Sequence, residues 1–183
     1  MQEIKFHVDA GWKTILWQQF GAAIDMLENA IQACPDHVWT NSSKQPAGSS
    51  MSGVGFWYVA FHTIFWLDFY LSESKEGFAP PAPFSLSEFE RGKLPERSYT
   101  KDELQAYLDH ARKKCRAAIG ILTGEKANQR QSLRWGEVTR MELLLYNMRH
   151  VQHHAAQLNL MLRQTVNAAP KWVPKTKLAL REQ

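Results

Sequence analysis

The chain has 183 residues, which is enough for one domain that buries a substantial apolar core. Apolar residues make up 44% of the chain and charged residues 22%, a balance typical of a globular protein that excludes a disordered one. The net charge is +4, but the basic residues form no stripe interleaved with aromatic residues, so we expect no nucleic-acid binding. We expect a single domain over residues 1–183, with a core from about 11 to 166 and a tail over 167–183.

The first residues and the cysteines favour a reducing compartment. The opening sequence MQEIKFHVDAGWK has no basic segment that leads into an apolar run, so we expect no secretory signal. Cys34 and Cys115 form neither a CxxC pair nor a disulfide framework. These features predict a cytoplasmic protein.

The apolar pattern predicts two helices in the first half of the chain. The first runs from about residue 11 to 34, carries its apolar residues on one face and is ended by Pro35. A loop rich in Ser, Asn, Pro and Gly follows. The second helix, from about 53 to 72, is apolar on nearly every side, which is typical of a helix buried in a bundle or of a membrane span. His62 and Asp68 interrupt it, so we favour the buried helix and expect no membrane partner.

Two more helices are predicted in the second half. Residues 73–99 carry four prolines and predict a long connection, with a short helical turn at residues 85–88. The third helix opens with the capping box Thr100-Lys-Asp-Glu103 and keeps an apolar stripe to Leu122. The fourth runs from about 137 to 166, and no segment has the alternation of a strand. The sequence predicts an all-α four-helix bundle with long loops after helices 1 and 2.

Three histidines form a candidate metal site. His150 and His154 are four residues apart, so at roughly 100° per residue their imidazoles point about 40° apart on one helix face. Neutral imidazole is a common ligand of zinc and of neighbouring divalent metals. His62 lies in the middle of a helix that we expect to be buried, and it is the natural third ligand.

Each of these histidines also has a simpler explanation, since a histidine in an apolar helix is more often a core residue with a hydrogen-bonded neighbour. Three buried imidazoles without partners would be costly, however, and one shared metal ion satisfies all of them. His153 points roughly 80° away from the direction midway between His150 and His154, so we place it at the surface, with a position behind the ligating histidines as the alternative. His7, His37 and His110 have no partner at ligand spacing, and we expect them to be solvated.

The residues beside the three histidines predict an aromatic pocket. Tyr58 and Tyr146 each lie one turn before a candidate ligand, and their hydroxyls make them the candidate catalytic residues. Asn147 and Gln157 share the metal-facing side of the fourth helix and are candidates for contacting the metal-binding histidines. No Asp or Glu lies on the metal-facing side of either helix, and Asp68 points away from His62.

The segments FWYVAFHTIFWLDFYL and RHVQHHAAQLNLMLRQ together resemble the DinB-like superfamily of four-helix-bundle metalloproteins. In that family one histidine of the second helix and two of an HxxxHxxQ motif on the last helix bind a divalent ion. The resemblance covers about residues 11–164 and assigns these roles to His62, His150 and His154, with Gln157 completing the motif. Many members have Arg-Gly where this chain has two alanines after His154, which leaves any role of that arginine open.

The resemblance also implies a function class. Characterised relatives include transferases and isomerases that use mycothiol or bacillithiol, and a bound metal makes thiolate available at neutral pH. We therefore expect a metal-dependent enzyme that activates a low-molecular-weight thiol to attack a small electrophile. A metal-dependent hydrolase and a non-catalytic, stress-related metal-binding protein are the alternatives. Zinc is the first candidate metal, with nickel, iron and cobalt open.

The resemblance and the aromatic content both predict a homodimer. Members of the family are commonly homodimers. This chain has seven Trp and nine Phe, more large aromatic side chains than a bundle of this size easily hides.

Overall fold

The computed structural model describes residues 9–41, 55–72 and 76–180, and most of them are helical. The described elements in chain order are α1 (Ala10–Ala33), α2 (Asp36–Trp39), α3 (Phe56–Leu71), a 3-10 turn (Ser87–Phe89), α4 (Lys101–Gly120), α5 (Gly124–Asn128), β1 (Arg130–Leu133), β2 (Gly136–Thr139) and α6 (Arg140–Val166). The all-α class predicted from the sequence is confirmed. His7 and most of the loop expected before α3 lie outside the described residues.

The four long helices form the body of the protein. α1 and α3 each pack against both α4 and α6. Twelve of the sixteen residues of α3 are buried, as its all-round apolar sequence predicts. No helix within the described ranges has the length and apolar character needed to span a membrane.

Side-chain caps fix where the long helices begin. The Thr100 hydroxyl accepts from the Glu103 backbone, and the Glu103 carboxylate accepts from the Thr100 backbone, so the predicted capping box is present. Thr139 caps α6 in a similar way, because its hydroxyl accepts from the backbone N–H of Glu142. The last helix therefore begins at Arg140 and not at about residue 137 as the sequence suggested.

A β-hairpin precedes α6, and here the sequence prediction of no strand is wrong. β1 and β2 pair antiparallel, from Arg130 opposite Thr139 to Leu133 opposite Gly136. Gly136 has φ of 135°, a backbone conformation open mainly to glycine, and it lets the chain reverse after Trp135. Each strand has four residues and only one apolar side chain, Leu133 in β1 and Val138 in β2, which is too few to show an alternation of apolar and polar residues. The hairpin therefore lacks the periodic signal by which strands are recognised.

The C-terminal tail packs along α1. The Trp17 indole N–H donates to the carbonyl of Leu178 at 2.7 Å, and the Thr176 N–H donates to the carbonyl of Gln18 at 3.0 Å. Gly21 permits this approach, because a Cβ there would lie 2.5 Å from the Thr176 methyl group. The segment that lies outside the family resemblance is thus joined to the helical body.

A buried carboxylate connects α3 to α4. Asp68 is 1% exposed and accepts from the Tyr107 hydroxyl at 3.1 Å and from Lys114 Nζ at 2.5 Å. It points to α4, away from His62, as helix geometry predicts. A buried carboxylate of this kind is tolerated because its partners replace the water that it loses.

Replacing Asp68 with Ala is expected to lower the free energy of unfolding by about 2 kcal/mol, because the buried Tyr107 hydroxyl would lose its acceptor, while the half-buried Lys114 would keep its hydrogen bonds to the carbonyl of residue 68 and to Ser72. Urea unfolding of the metal-free protein measures this. Asp36→Ala is the matched control, since Asp36 pairs with Lys101 at 2.6 Å on the surface with 97% of its side chain exposed. The control should leave the urea midpoint nearly unchanged. If both variants lost the same free energy of unfolding, the buried Asp68 would contribute no more to stability than the exposed Asp36.

Candidate metal centre

Three imidazoles converge where α3 packs against α6. His62 Nε2 lies 3.4 Å from His150 Nε2. The ring centroid of His154 lies 4.8 Å from that of His62 and 4.5 Å from that of His150. One ligand atom from each histidine lies within 4.8 Å of the others. The structure thus brings together the three histidines that the sequence singled out.

The spacing of these nitrogens fits a single metal ion. Two imidazole nitrogens bound at about 2.0–2.1 Å to one tetrahedral ion lie about 3.3–3.4 Å apart. The measured separation of the His62 and His150 Nε2 atoms is 3.4 Å. The group can therefore hold a metal ion with little movement of these two rings.

The electrostatics of the site keep the ligands in the form that binds metal. Burial, together with the neighbouring imidazoles His154 and His62, lowers the pKa of His150 to about 2. Burial also lowers the pKa of His154 to about 4. Both rings are therefore neutral at pH 7, and a neutral imidazole has the lone pair that coordination needs.

Hydrogen bonds orient two of the three rings. His62 Nδ1 lies 2.7 Å from Glu88 Oε2, and His154 Nδ1 lies 2.6 Å from Gln157 Oε1. Because carboxylate and amide oxygens accept, each Nδ1 carries the proton and each Nε2 is free to bind metal. His150 Nδ1 is buried without a hydrogen-bond partner among the described residues, and its Nε2 faces His62. All three Nε2 atoms are thus available to one ion.

Glu88 adds a carboxylate beside the site that comes from neither of the two helices. It comes from the 3-10 turn Ser87–Phe89, its side chain is 4% exposed, and the Trp66 indole N–H donates to Oε2 at 2.8 Å. Burial raises the pKa of Glu88, but hydrogen bonds from His62 and from other neighbours outweigh it, so the pKa lies below its ordinary value. This carboxylate comes from the long connection, so the faces of the helices gave no sign of it. A helical turn was predicted at residues 85–88, but nothing in the sequence indicated where it would pack.

The two candidate tyrosines lie in different surroundings. The Tyr58 ring lies 6.4 Å from the His62 ring, and burial, with a further contribution from Glu88, raises the pKa of its hydroxyl. Tyr58 therefore stays protonated, and its hydroxyl donates a hydrogen bond to the Glu88 carboxylate. Tyr146 packs against Tyr70 at 5.4 Å and Trp135 at 4.7 Å between ring centroids, which places it towards the hairpin.

Of the three remaining residues, Gln157 contacts a metal-binding histidine, whereas Asn147 and His153 lie outside the metal centre. Gln157 holds His154 as described above. Asn147 is fully buried, and its amide donates to the carbonyl of Leu67 at 3.0 Å, so it fixes α6 to α3. His153 is exposed and lies outside the group of three, although its ring is 5.0 Å from that of His154.

The fold and the site define an all-α protein with three imidazoles that can hold a metal ion. A profile of the DinB superfamily matches residues 19–158, well over half of the chain. The chain therefore belongs to the DinB superfamily, a metal-binding family. A comparison with curated proteins finds no match.

Alanine at His62, His150 or His154 is expected to lower zinc affinity by several orders of magnitude, because two imidazoles cannot replace three. Competition with a chromophoric chelator measures the affinity. His153→Ala is the matched control, since it removes an exposed histidine from the same helix. If His153→Ala lost as much affinity as the others, the assignment of ligands would be wrong.

Glu88→Gln is expected to weaken zinc binding about tenfold, because the amide still accepts from His62 but no longer makes the ring more basic. The same competition assay applies. Glu90→Gln is a close control, as Glu90 lies two residues away on the surface and pairs with Lys93 at 2.7 Å. An unchanged affinity for Glu88→Gln would mean that this carboxylate does not tune the ligand.

Proposed function

We propose that His62, His150 and His154 bind one divalent metal ion, with zinc as the first candidate, and that the protein is a metal-dependent enzyme. The observation that carries this is the ligand set. Among the described residues the group consists of three histidines, without a fourth histidine, cysteine or acid. Structural zinc sites are closed by four protein ligands, whereas catalytic sites keep one position open.

We propose further that the site activates a low-molecular-weight thiol for S-transfer or isomerisation. A divalent ion, when bound, lowers the pKa of a coordinated thiol enough to supply thiolate at neutral pH. The chain's own residues would orient the reactants. Glu88 holds His62 in the ligating tautomer, and the protonated Tyr58 hydroxyl, which is hydrogen-bonded to Glu88, would donate to a substrate oxygen by exchanging this acceptor.

The placement of Glu88 also supports a second candidate, metal-dependent hydrolysis. Its Oε2 is occupied by His62 and Trp66, which fits a residue that orients a ligand. Its Oε1, however, is buried without a hydrogen-bond partner among the described residues. Hydrolysis needs a nearby carboxylate that can take a proton from water, so this oxygen keeps the second candidate open.

Cobalt substitution tests the two candidates. A thiolate that enters the coordination sphere of cobalt gives an intense near-ultraviolet charge-transfer band, which histidine and water ligands do not give. We expect this band when millimolar thiol is added to the cobalt-loaded protein, because the fourth position is open. His150→Ala should lose the band, since it removes a ligand.

The other outcomes distinguish the alternatives. A spectrum unchanged by thiols, together with hydrolysis of an activated ester that Glu88→Gln loses, would favour the hydrolase. An unchanged spectrum together with a loss of several kcal/mol of stability on metal removal would favour a purely structural ion.

The homodimer stays a prediction. Large apolar side chains that remain exposed on one chain support it: Trp12 is 50% exposed, Ile15 56% and Trp172 66%.

A further inference from the structure

An open groove lies beside the metal centre, between α3, the 3-10 turn and the β-hairpin. Its volume is about 740 Å³, within the range of small-molecule sites. It is lined by Trp66, Phe69, Tyr70, Glu88, Phe89, Leu133, Arg134 and Trp135. No step proposed above uses its hairpin side.

The walls of the groove are aromatic and partly uncovered. Trp135 is 50% exposed and Phe89 is 42% exposed, although both are large apolar side chains. Phe89 stacks edge-on to Phe69 with ring centroids 5.0 Å apart, and Trp135 packs against Tyr70 at 6.0 Å. Exposed rings in a concave site favour a flat, apolar ligand that can stack between them.

Two charged side chains line the groove, and they come from different elements. Glu88, from the 3-10 turn, is held by His62 and Trp66. Arg134, from the hairpin turn, is exposed and makes no ion pair with any acid in the described part of the chain. The negative group of a ligand is therefore repelled by Glu88 and attracted by Arg134. If this group is a carboxylate, the Arg134 guanidinium can bind it through two hydrogen bonds.

The groove adjoins the candidate metal ligands. The Trp66 ring lies 6.3 Å from that of His62, and the Tyr70 ring lies 6.2 Å from that of His150. These two groove residues are thus in contact with the histidine site. A ligand stacked on them would have one end near the metal and the other near the hairpin.

We propose that this groove binds an aromatic carboxylate, with its ring among Trp66, Tyr70 and Trp135 and its carboxylate on Arg134. That this ligand is the substrate rests on the proposed function of the metal centre. The groove itself would bind such a compound whether or not metal is present. The negative charge of Glu88 fixes the orientation of the bound compound, because it repels the carboxylate of that compound towards Arg134.

Isothermal titration with 2-naphthoate tests the groove directly, in the metal-free and in the zinc-loaded protein. We expect binding in both states. Arg134→Gln should weaken it about three- to tenfold, because an exposed charge-assisted pair is lost. Trp135→Ala should weaken it about tenfold through the loss of stacking area.

Matched controls separate specific from general effects. Trp172→Ala removes an exposed indole that does not line the groove, and it should leave the affinity unchanged. The neutral analogue 2-naphthamide should bind wild type and Arg134→Gln equally, since it has no charge to pair.

Three results would overturn the proposal. The first is that 2-naphthoate does not bind at millimolar concentration. The second is that Trp172→Ala weakens its binding as much as Trp135→Ala does. The third is that Trp135→Ala dissociates a dimer, which would assign the groove to a second copy of the chain. The titration needs neither catalysis nor metal. If 2-naphthoate binds but the cobalt-loaded protein gives no thiolate band, the proposed activity is refuted and the proposed ligand site is retained.

Discussion

The packing of α3 against α6 is the constraint on which the site depends. α3 is apolar on nearly every side, so the hydrophobic effect places it in the interior, where 22% of the His62 side chain remains exposed. The facing side of α6 presents His150 and His154 to it. Burial and the neighbouring imidazoles lower the pKa values of the two α6 histidines, so these two rings are neutral at pH 7. A divalent ion satisfies all three nitrogens at once, which no arrangement of hydrogen bonds among them can do.

The long connection before α4 is part of this site, because it delivers Glu88 to His62. Aromatic contacts hold it in place: the Phe84 ring stacks on Tyr107 of α4 at 4.4 Å, and the Tyr99 hydroxyl accepts from the Ser85 N–H at 3.0 Å. With the connection fixed on both sides, the buried Glu88 carboxylate has a defined position. The packing of these aromatic rings thus positions Glu88, and the hydrogen bond from His62 to Glu88 sets the tautomer of that histidine.

The hairpin has a comparable role on the other side of the groove. Arg140, directly after β2, donates to the carbonyls of Tyr70 and Leu71 at 3.1 and 2.7 Å, where α3 ends with unpaired carbonyl groups. This anchors the hairpin to the helix that carries His62. Trp135 is thereby held against Tyr70, and the groove has a wall that does not depend on a ligand.

The sequence by itself determined the parts of this protein that depend on short-range periodicity. The α4 capping box, the all-round apolar α3 and the pairing of His150 with His154 follow from spacings of three and four residues, which a helix turns directly into geometry. Only the tertiary structure decided that Glu88 meets His62, 26 residues earlier in the chain, because that contact depends on the path of an irregular connection. It also decided the hairpin, because each four-residue strand has only one apolar side chain, Leu133 or Val138, and so no alternation of apolar residues that the sequence could show.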